Sequence, residues 1–257
     1  MDDLKATEKI TSDLVGLGVR QGGVLLVHSS LRSLGHVSGG AETVIRGLLG
    51  ALGRNGTLLM PAFGSDEDAG DPPEFDVLNS PTWVGAIPEA FRVRRGTLRS
   101  IHPTHSVCGT GARAHELLAT HERDSTTCGL HSPFHLLRGC GGQILMLGCG
   151  LLPNTSFHAI EEVIEPPYLF MKAQLCTLRR ADGKVVRKRY RLLDLAGWRQ
   201  RYDRVMPLLE GKGLTCGKVL EADSYLIDAP AMWKAALSAM RKDPLFFVEK
   251  VPETTQT

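Results

Sequence analysis

Two periodicities alternate along the first sixty residues of the chain. Residues 2–17 place Leu4, Ile10, Leu14 and Leu17 at helical spacing, and Gln21-Gly22-Gly23 ends the pattern. Residues 24–27, Val-Leu-Leu-Val, form the short apolar run of a buried strand and stop at His28-Ser29-Ser30. Helical spacing returns over 41–52 through Val44, Ile45, Leu48, Leu49 and Leu52, and 57–60 is a second buried strand. That order predicts an α/β domain. Further on, helices are expected at 83–92 and 112–121, and a strand at 143–147 before Gly148-Cys149-Gly150. A helix over 158–164 starts near caps from Asn154, Thr155 and Ser156. Residues 175–180 and 184–190 flank Asp182-Gly183 as a hairpin, 233–240 is helical, and Phe246-Phe247-Val248 is strand-like. No repeat or linker interrupts residues 1–257, which are read as one domain.

Composition narrows the function classes. Thirty basic and twenty-eight acidic residues give a net charge of +2, which argues against a nucleic-acid partner. The apolar runs fall far short of the ~20 residues of a membrane span, and the polar start MDDLKATEKI shows no export signal. A cytoplasmic location is therefore expected. The six cysteines have no C-x-x-C spacing, so free buried thiols are expected, with Cys149 kept as a candidate nucleophile.

Several segments carry candidate chemistry. Residues 64–81 form an acidic, proline-containing loop with Asp66, Glu67, Asp68, Asp71, Glu74 and Asp76. Basic residues gather at 92–99 and 179–191, so the near-neutral total reads as two opposed local fields. Seven of the nine histidines fall from 102 to 158, but their spacing matches no metal motif, and structural roles are expected for most. His158 stands apart: it opens a helix, and Glu161 lies one turn on along the same face, as a general base and its orienting acid would. The turn 28–40 offers hydroxyls, backbone N–H groups and Arg32 to an anion, without a Walker or dinucleotide fingerprint.

Taken in order, GGVLLVHSSLRSLG at 22–35, GTLLMPAF at 56–63, GTLRSIHPTHSVCGTG at 96–111, SPFHLLRGCGGQILMLGCG at 132–150 and PNTSFHAIEE at 153–162 resemble the aminoglycoside 3-N-acetyltransferase family. The resemblance runs on to DPLFFVEK near the end of the chain. It implies an α/β fold with a central mixed sheet flanked by helices, distinct from the common acetyltransferase superfamily. It also implies acetyl-CoA-dependent transfer to an amine, without a metal. By the same resemblance, Ser29, Ser30, Leu31, Arg32, Ser33, Leu34 and Gly35, with Ser106 and Val107, line the coenzyme A site. His158 matches the catalytic histidine, and Asp194, reached through Tyr190-x-x-x-Asp194, matches its acid partner; Glu161 is the local alternative. Asp66, Glu67, Asp68 and Glu162 match the side that meets a polycationic sugar. The chain departs from the pattern in a short 64–81 loop and in Leu192, where an acid is expected.

Thr155 and Ser156 are oxyanion candidates by position. Three readings stay open beside aminoglycoside acetylation: the same chemistry on another amine, a non-catalytic coenzyme A-binding protein, and a hydrolase using Cys149. Oligomeric state is left open between monomer and homodimer.

Overall fold

The computed structural model describes residues 2–64 and 73–251. Helix α1 (Asp3–Leu17) is capped by the Asp2 carboxylate on the Lys5 amide, 2.9 Å away. Strand β1 (Val24–Ser29), helix α2 (Gly40–Leu52) and strand β2 (Thr57–Pro61) follow. Next come β3 (Glu74–Asp76), α3 (Ala86–Val93), β4 (Leu98–Arg99), β5 (Val107–Gly111), α4 (Ala114–Leu118) and α5 (Pro133–Gly139). Strand β6 (Gln143–Leu147) leads to α6 (Ser156–Ile164), the hairpin β7 (Gln174–Arg179) and β8 (Val185–Tyr190), and β9 (Trp198–Gln200). The described chain closes with α7 (Met206–Leu209), β10 (Leu214–Val219), β11 (Ala222–Asp228), α8 (Ala229–Lys242) and β12 (Val248–Lys250).

Seven strands form the main sheet in the order β10-β11-β6-β1-β2-β5-β4. The central trio β6-β1-β2 is parallel and both flanks are antiparallel, so the sheet is mixed, as expected. The three central strands read as unbroken apolar runs because helices cover both faces. Leu26, Leu59, Ile144 and Met146 pack with residues of α4, α5, α6 and α8. Their neighbours Leu25, Val27, Leu58, Met60, Leu145 and Leu147 pack against α1, α2 and α3 on the other face. β3, β7 and β8 make a separate three-stranded sheet, and β9 pairs with β12.

This topology opens the crevice in which the site lies. β1 and β6 are adjacent and parallel, yet the helices that follow them, α2 and α6, lie on opposite faces. Connections that part in this way leave a cleft at the carboxyl ends of the two strands.

Local chemistry shifts several expected boundaries. The helix expected at 83–92 begins at Ala86, because Gly85 at φ +133° turns the chain first, and Trp83 is left exposed. The helix expected at 112–121 ends at Leu118, and a 3-10 turn over His121–Arg123 follows. The turn is held by the buried His121 ring, which bonds the Ser100 hydroxyl and the Thr127 carbonyl. The apolar tail pairs only from Val248 onward, and Phe247 is buried in the core. The pattern does not predict β5, β10 or β11: glycines interrupt β5, and β10 is an exposed edge strand whose polar residues need no core face.

One glycine sets how closely two loops of the crevice approach. Gly148, at the end of β6, sits at φ +70°, and a Cβ there would lie 2.7 Å from the Cβ of Ser33. Gly148→Ala is expected to cost at least ~1–3 kcal/mol of stability through the left-handed backbone alone, measurable by urea denaturation.

Candidate active site

The segment between β6 and α6 is anchored by Asn154. Its side-chain carbonyl accepts the Ser156 N–H at 3.2 Å, and its amide meets the Met232 sulfur on α8 at 3.3 Å. With the helix start fixed, His158 and Glu161 fall one turn apart on one face. The His158 Nδ1 lies 2.6 Å from Glu161 Oε2. The Glu161 side chain is fully buried, and two phenols complete its shell. Tyr168 donates to Oε1 at 3.0 Å, and the Tyr202 hydroxyl stands 3.3 and 3.2 Å from the two oxygens. Tyr202 also lies 3.2 Å from His158 Nδ1.

These contacts fix protonation states. Burial, and next the Glu161 charge, push both tyrosines well above the ordinary phenol range, so each stays a donor. With a carboxylate against Nδ1, the imidazole holds its proton there and leaves Nε2 as the basic nitrogen. The ring is nearly buried but lines a cavity of about 880 Å³ at the carboxyl ends of β1 and β6.

The cavity gathers some of the expected residues and leaves others out. Ser29, Thr155, His158 and Asp194 line it. Asp194 is the only carboxylate among the described lining residues, and it accepts the Ala196 N–H at 3.2 Å. The turn beyond Ser29 lies beside the cavity: Ser33 donates to Ser30 at 2.9 Å, Arg32 is exposed, Leu31 and Gly35 are half-buried and Leu34 belongs to the core. Ser106 and Val107 are buried and are not among the lining residues. The Ser106 hydroxyl donates to the Ala62 carbonyl at 2.5 Å and accepts from Arg99 at 3.0 Å.

Ser156 is fully buried and is not among the lining residues. Glu162 turns away to hold a loop, accepting from Thr126 Oγ1 at 2.6 Å and the Cys128 N–H at 2.5 Å. Burial pushes the Glu162 carboxyl up to about 7 against those bonds. Asp66, Glu67 and Asp68 lie outside the described residues.

The two basic groups are largely committed within the fold. Arg92 pairs with Glu89, and Arg99 donates to the Ser80 and Ala62 carbonyls at 2.6 Å each. Arg180 pairs with Glu122, and Lys188 donates to the carbonyls of Glu122, Arg123 and Asp124. Arg180 and Lys188 thereby fasten the β7–β8 hairpin to the loop around residue 122. The histidines mostly serve structure, as expected: His102 accepts the His105 N–H at 2.9 Å and stacks on His121, whose pKa burial lowers to about 3. Cys149 lines the cavity, but burial raises its pKa to about 12, so it is no thiolate nucleophile near pH 7. Cys216, contrary to the expectation of buried thiols, is exposed. Among the described residues, no group of three or more His, Cys, Asp or Glu could hold a metal ion, and no helix is long and apolar enough to cross a membrane.

Sequence reasoning missed Tyr168, Tyr202, His105 and Trp83 as parts of the site. Tyr202 sits in a charged stretch, WRQRYDRV, with no motif to single it out. Its hydroxyl reaches Glu161 only because its ring stacks on Phe157, with centroids 4.3 Å apart and planes 4° from parallel.

Known proteins share this arrangement of elements. The profile of the family described as aminoglycoside 3-N-acetyltransferase matches residues 26–241. Aminoglycoside N(3)-acetyltransferase IV from Salmonella sp. is 32% identical over 93% of this chain and 89% of its own length. Aminoglycoside N(3)-acetyltransferase VIII from Streptomyces fradiae is 31% identical, over 86% of each chain. Among solved structures, a histidine-to-alanine mutant of aminoglycoside acetyltransferase AAC(3)-IVa in complex with a gentamicin superposes with a TM-score of 0.81 at 31% identity, covering 94% of this chain and 90% of the other. AAC-IIIb, solved as a binary complex with CoASH, gives 0.80 at 28% identity, covering 92% and 96%. Matched along almost its whole length in sequence and in fold, the chain belongs to the aminoglycoside 3-N-acetyltransferase family.

Proposed function

We propose that this protein moves the acetyl group of acetyl-CoA onto the 3-amino group of the 2-deoxystreptamine ring of an aminoglycoside, with His158 as general base. The observation that carries the reading is the buried His158–Glu161 pair opening onto a large cavity, in a chain of this family. Relatives solved with a gentamicin and with CoASH support the two substrates.

An aminoglycoside amine is mostly protonated near pH 7 and must lose a proton before it attacks. His158 takes that proton on Nε2, and the Glu161 carboxylate stabilises the imidazolium that results. The amine nitrogen bonds to the thioester carbon, the carbon–sulfur bond breaks, and the nitrogen gives its remaining surplus proton to solvent, so that the product is a neutral amide. His158 then returns the proton to the departing sulfur. Thr155, which lines the cavity at the start of α6, is the donor assigned to the carbonyl oxygen as it gains charge. Asp194 supplies the negative charge that holds a cationic acceptor, so Glu161 is the orienting acid and Asp194 the acceptor contact. The coenzyme, as second substrate, fits along the end of β1 and the following turn. There Ser29 Oγ is buried with no hydrogen-bond partner among the described residues, and Arg32 is exposed to meet phosphate.

A second reading is acetylation of a less highly charged amine. It draws on the cavity wall, where a lone described carboxylate shares the lining with exposed Trp83 and Leu152. Thiol release from acetyl-CoA with a panel of acceptors separates the two. Release with gentamicin, sisomicin or apramycin but not with simple amines is expected, and the reverse pattern selects the second reading. His158→Ala is expected to abolish transfer while calorimetry still detects coenzyme A binding; near-normal turnover would remove the base assignment. Glu161→Gln keeps the shape but surrenders the charge and the tautomer, and kcat should fall by roughly 10²–10⁴-fold. Tyr168→Phe and Tyr202→Phe should each cost about 1–3 kcal/mol in urea unfolding, with a non-additive double mutant because both serve one carboxylate.

A further inference from the structure

His28 ends the apolar run of β1 and plays no part in the proton transfer described above. Side chains alternate along a strand, so His28 points to the same face as Val24 and Leu26, the face that α6 covers. It therefore lines the same cavity as His158, from the sheet rather than from the helix. The ring is only 7% exposed, and its Nε2 is buried with no hydrogen-bond partner among the described residues. Burial lowers its pKa to about 3, so the imidazole is neutral near pH 7 and too weak a base to compete with His158. Ser29 Oγ, the next polar side chain, is likewise buried, unpartnered among the described residues and in the cavity wall. Buried polar atoms are normally satisfied, and two adjacent exceptions in one cavity wall indicate bonds completed by a ligand.

We propose that His28 contacts the acetyl donor directly, its neutral imidazole donating from Nε2 to the thioester carbonyl oxygen. The inference rests on the acetyl-CoA reading, which places the donor along the end of β1. As the amine nitrogen bonds to the carbonyl carbon, the C=O electron pair moves onto that oxygen. A neutral donor fixed in a low-dielectric pocket stabilises the charge without giving up its proton. When the carbonyl re-forms, the carbon–sulfur bond breaks and the proton from the amine passes through His158 to sulfur. His28 ends the cycle unchanged. An apolar residue in its place would bind the donor equally but lose the charge stabilisation.

The test uses the full chain with acetyl-CoA carrying ¹³C in the thioester carbonyl, without acceptor. Difference infrared spectroscopy should show the bound carbonyl stretch shifted to lower frequency in the wild type. The shift should be lost in His28→Leu and partly regained in His28→Gln, whose amide N–H reaches a similar position. With acceptor present, His28→Leu should lower kcat by about 10²-fold while KM for acetyl-CoA changes by less than about threefold. The form of the pH–rate profile should not change. Melting curves establish that both variants fold. An unshifted wild-type band, or a His28→Leu enzyme with wild-type band and kcat, overturns the inference alone. A change confined to KM for the acceptor also overturns it and assigns His28 to the other substrate. If the wild type neither binds acetyl-CoA in calorimetry nor releases thiol with any amine, the acetyltransferase reading fails and the inference falls with it.

Discussion

A single carboxylate taken out of water organises the catalytic side of this molecule. Burying an ionised Glu161 costs several kcal/mol unless its oxygens are paired and hydrogen-bonded. The fold answers with the His158 imidazole and the phenols of Tyr168 and Tyr202, brought from three stretches of chain. Tyr202 is held by its stack on Phe157, and Phe247 packs against Phe157 with ring centroids 4.8 Å apart. A stretch of chain some ninety residues beyond α6 thus supports the orientation of its histidine. Packing and protonation are one problem here, because the same contacts that satisfy the carboxylate also select the Nδ1 proton of His158.

The second constraint is topological. A cleft forms where β1 and β6 send their connections to opposite faces of the sheet. Each strand delivers a histidine-bearing segment to it: β1 directly through His28, and β6 through the turn that leads into α6. The two rings face one cavity with different electrostatic settings. His158 has a carboxylate against its Nδ1. His28 has burial without a compensating charge and stays neutral.

Runs of basic residues meet partners that the sequence does not show. The basic residues at 92–99 and 179–191 stand out in the sequence, but Arg92, Arg99, Arg180 and Lys188 direct their donors to neighbouring carboxylates and carbonyls. Arg180 and Lys188 attach the β7–β8 hairpin to the loop around residue 122, while Arg92 and Arg99 hold the carbonyls of Leu78, Ser80 and Ala62. A run of like charges in sequence carries no record of the acids and carbonyls that meet it from elsewhere. Glu162 makes the same point in reverse: it adjoins Glu161 in sequence, yet one helical step of about 100° turns it toward Thr126 and Cys128, away from the cavity.

Local pattern alone determined the buried strands β1, β2 and β6, the helices beside them, the Asp182-Gly183 hairpin and the placing of His158 and Glu161 one turn apart on one helix face. Each of these follows from contacts within a few residues: apolar runs, capping groups, turn-forming glycines and one turn of helix. Tertiary structure decided the rest. It chose Glu161 as the bonding partner of His158 Nδ1 and placed Asp194 in the cavity wall. It brought in Tyr168 and Tyr202, and it left His28 with a buried nitrogen facing the cleft. β10 and β11 escaped the pattern because an edge strand and its neighbour are defined by the sheet they join, not by their own periodicity. A hydrogen bond between residues forty positions apart, such as Tyr202 to Glu161, leaves no periodic trace in a sequence. Only the packing that brings the two side chains together creates it.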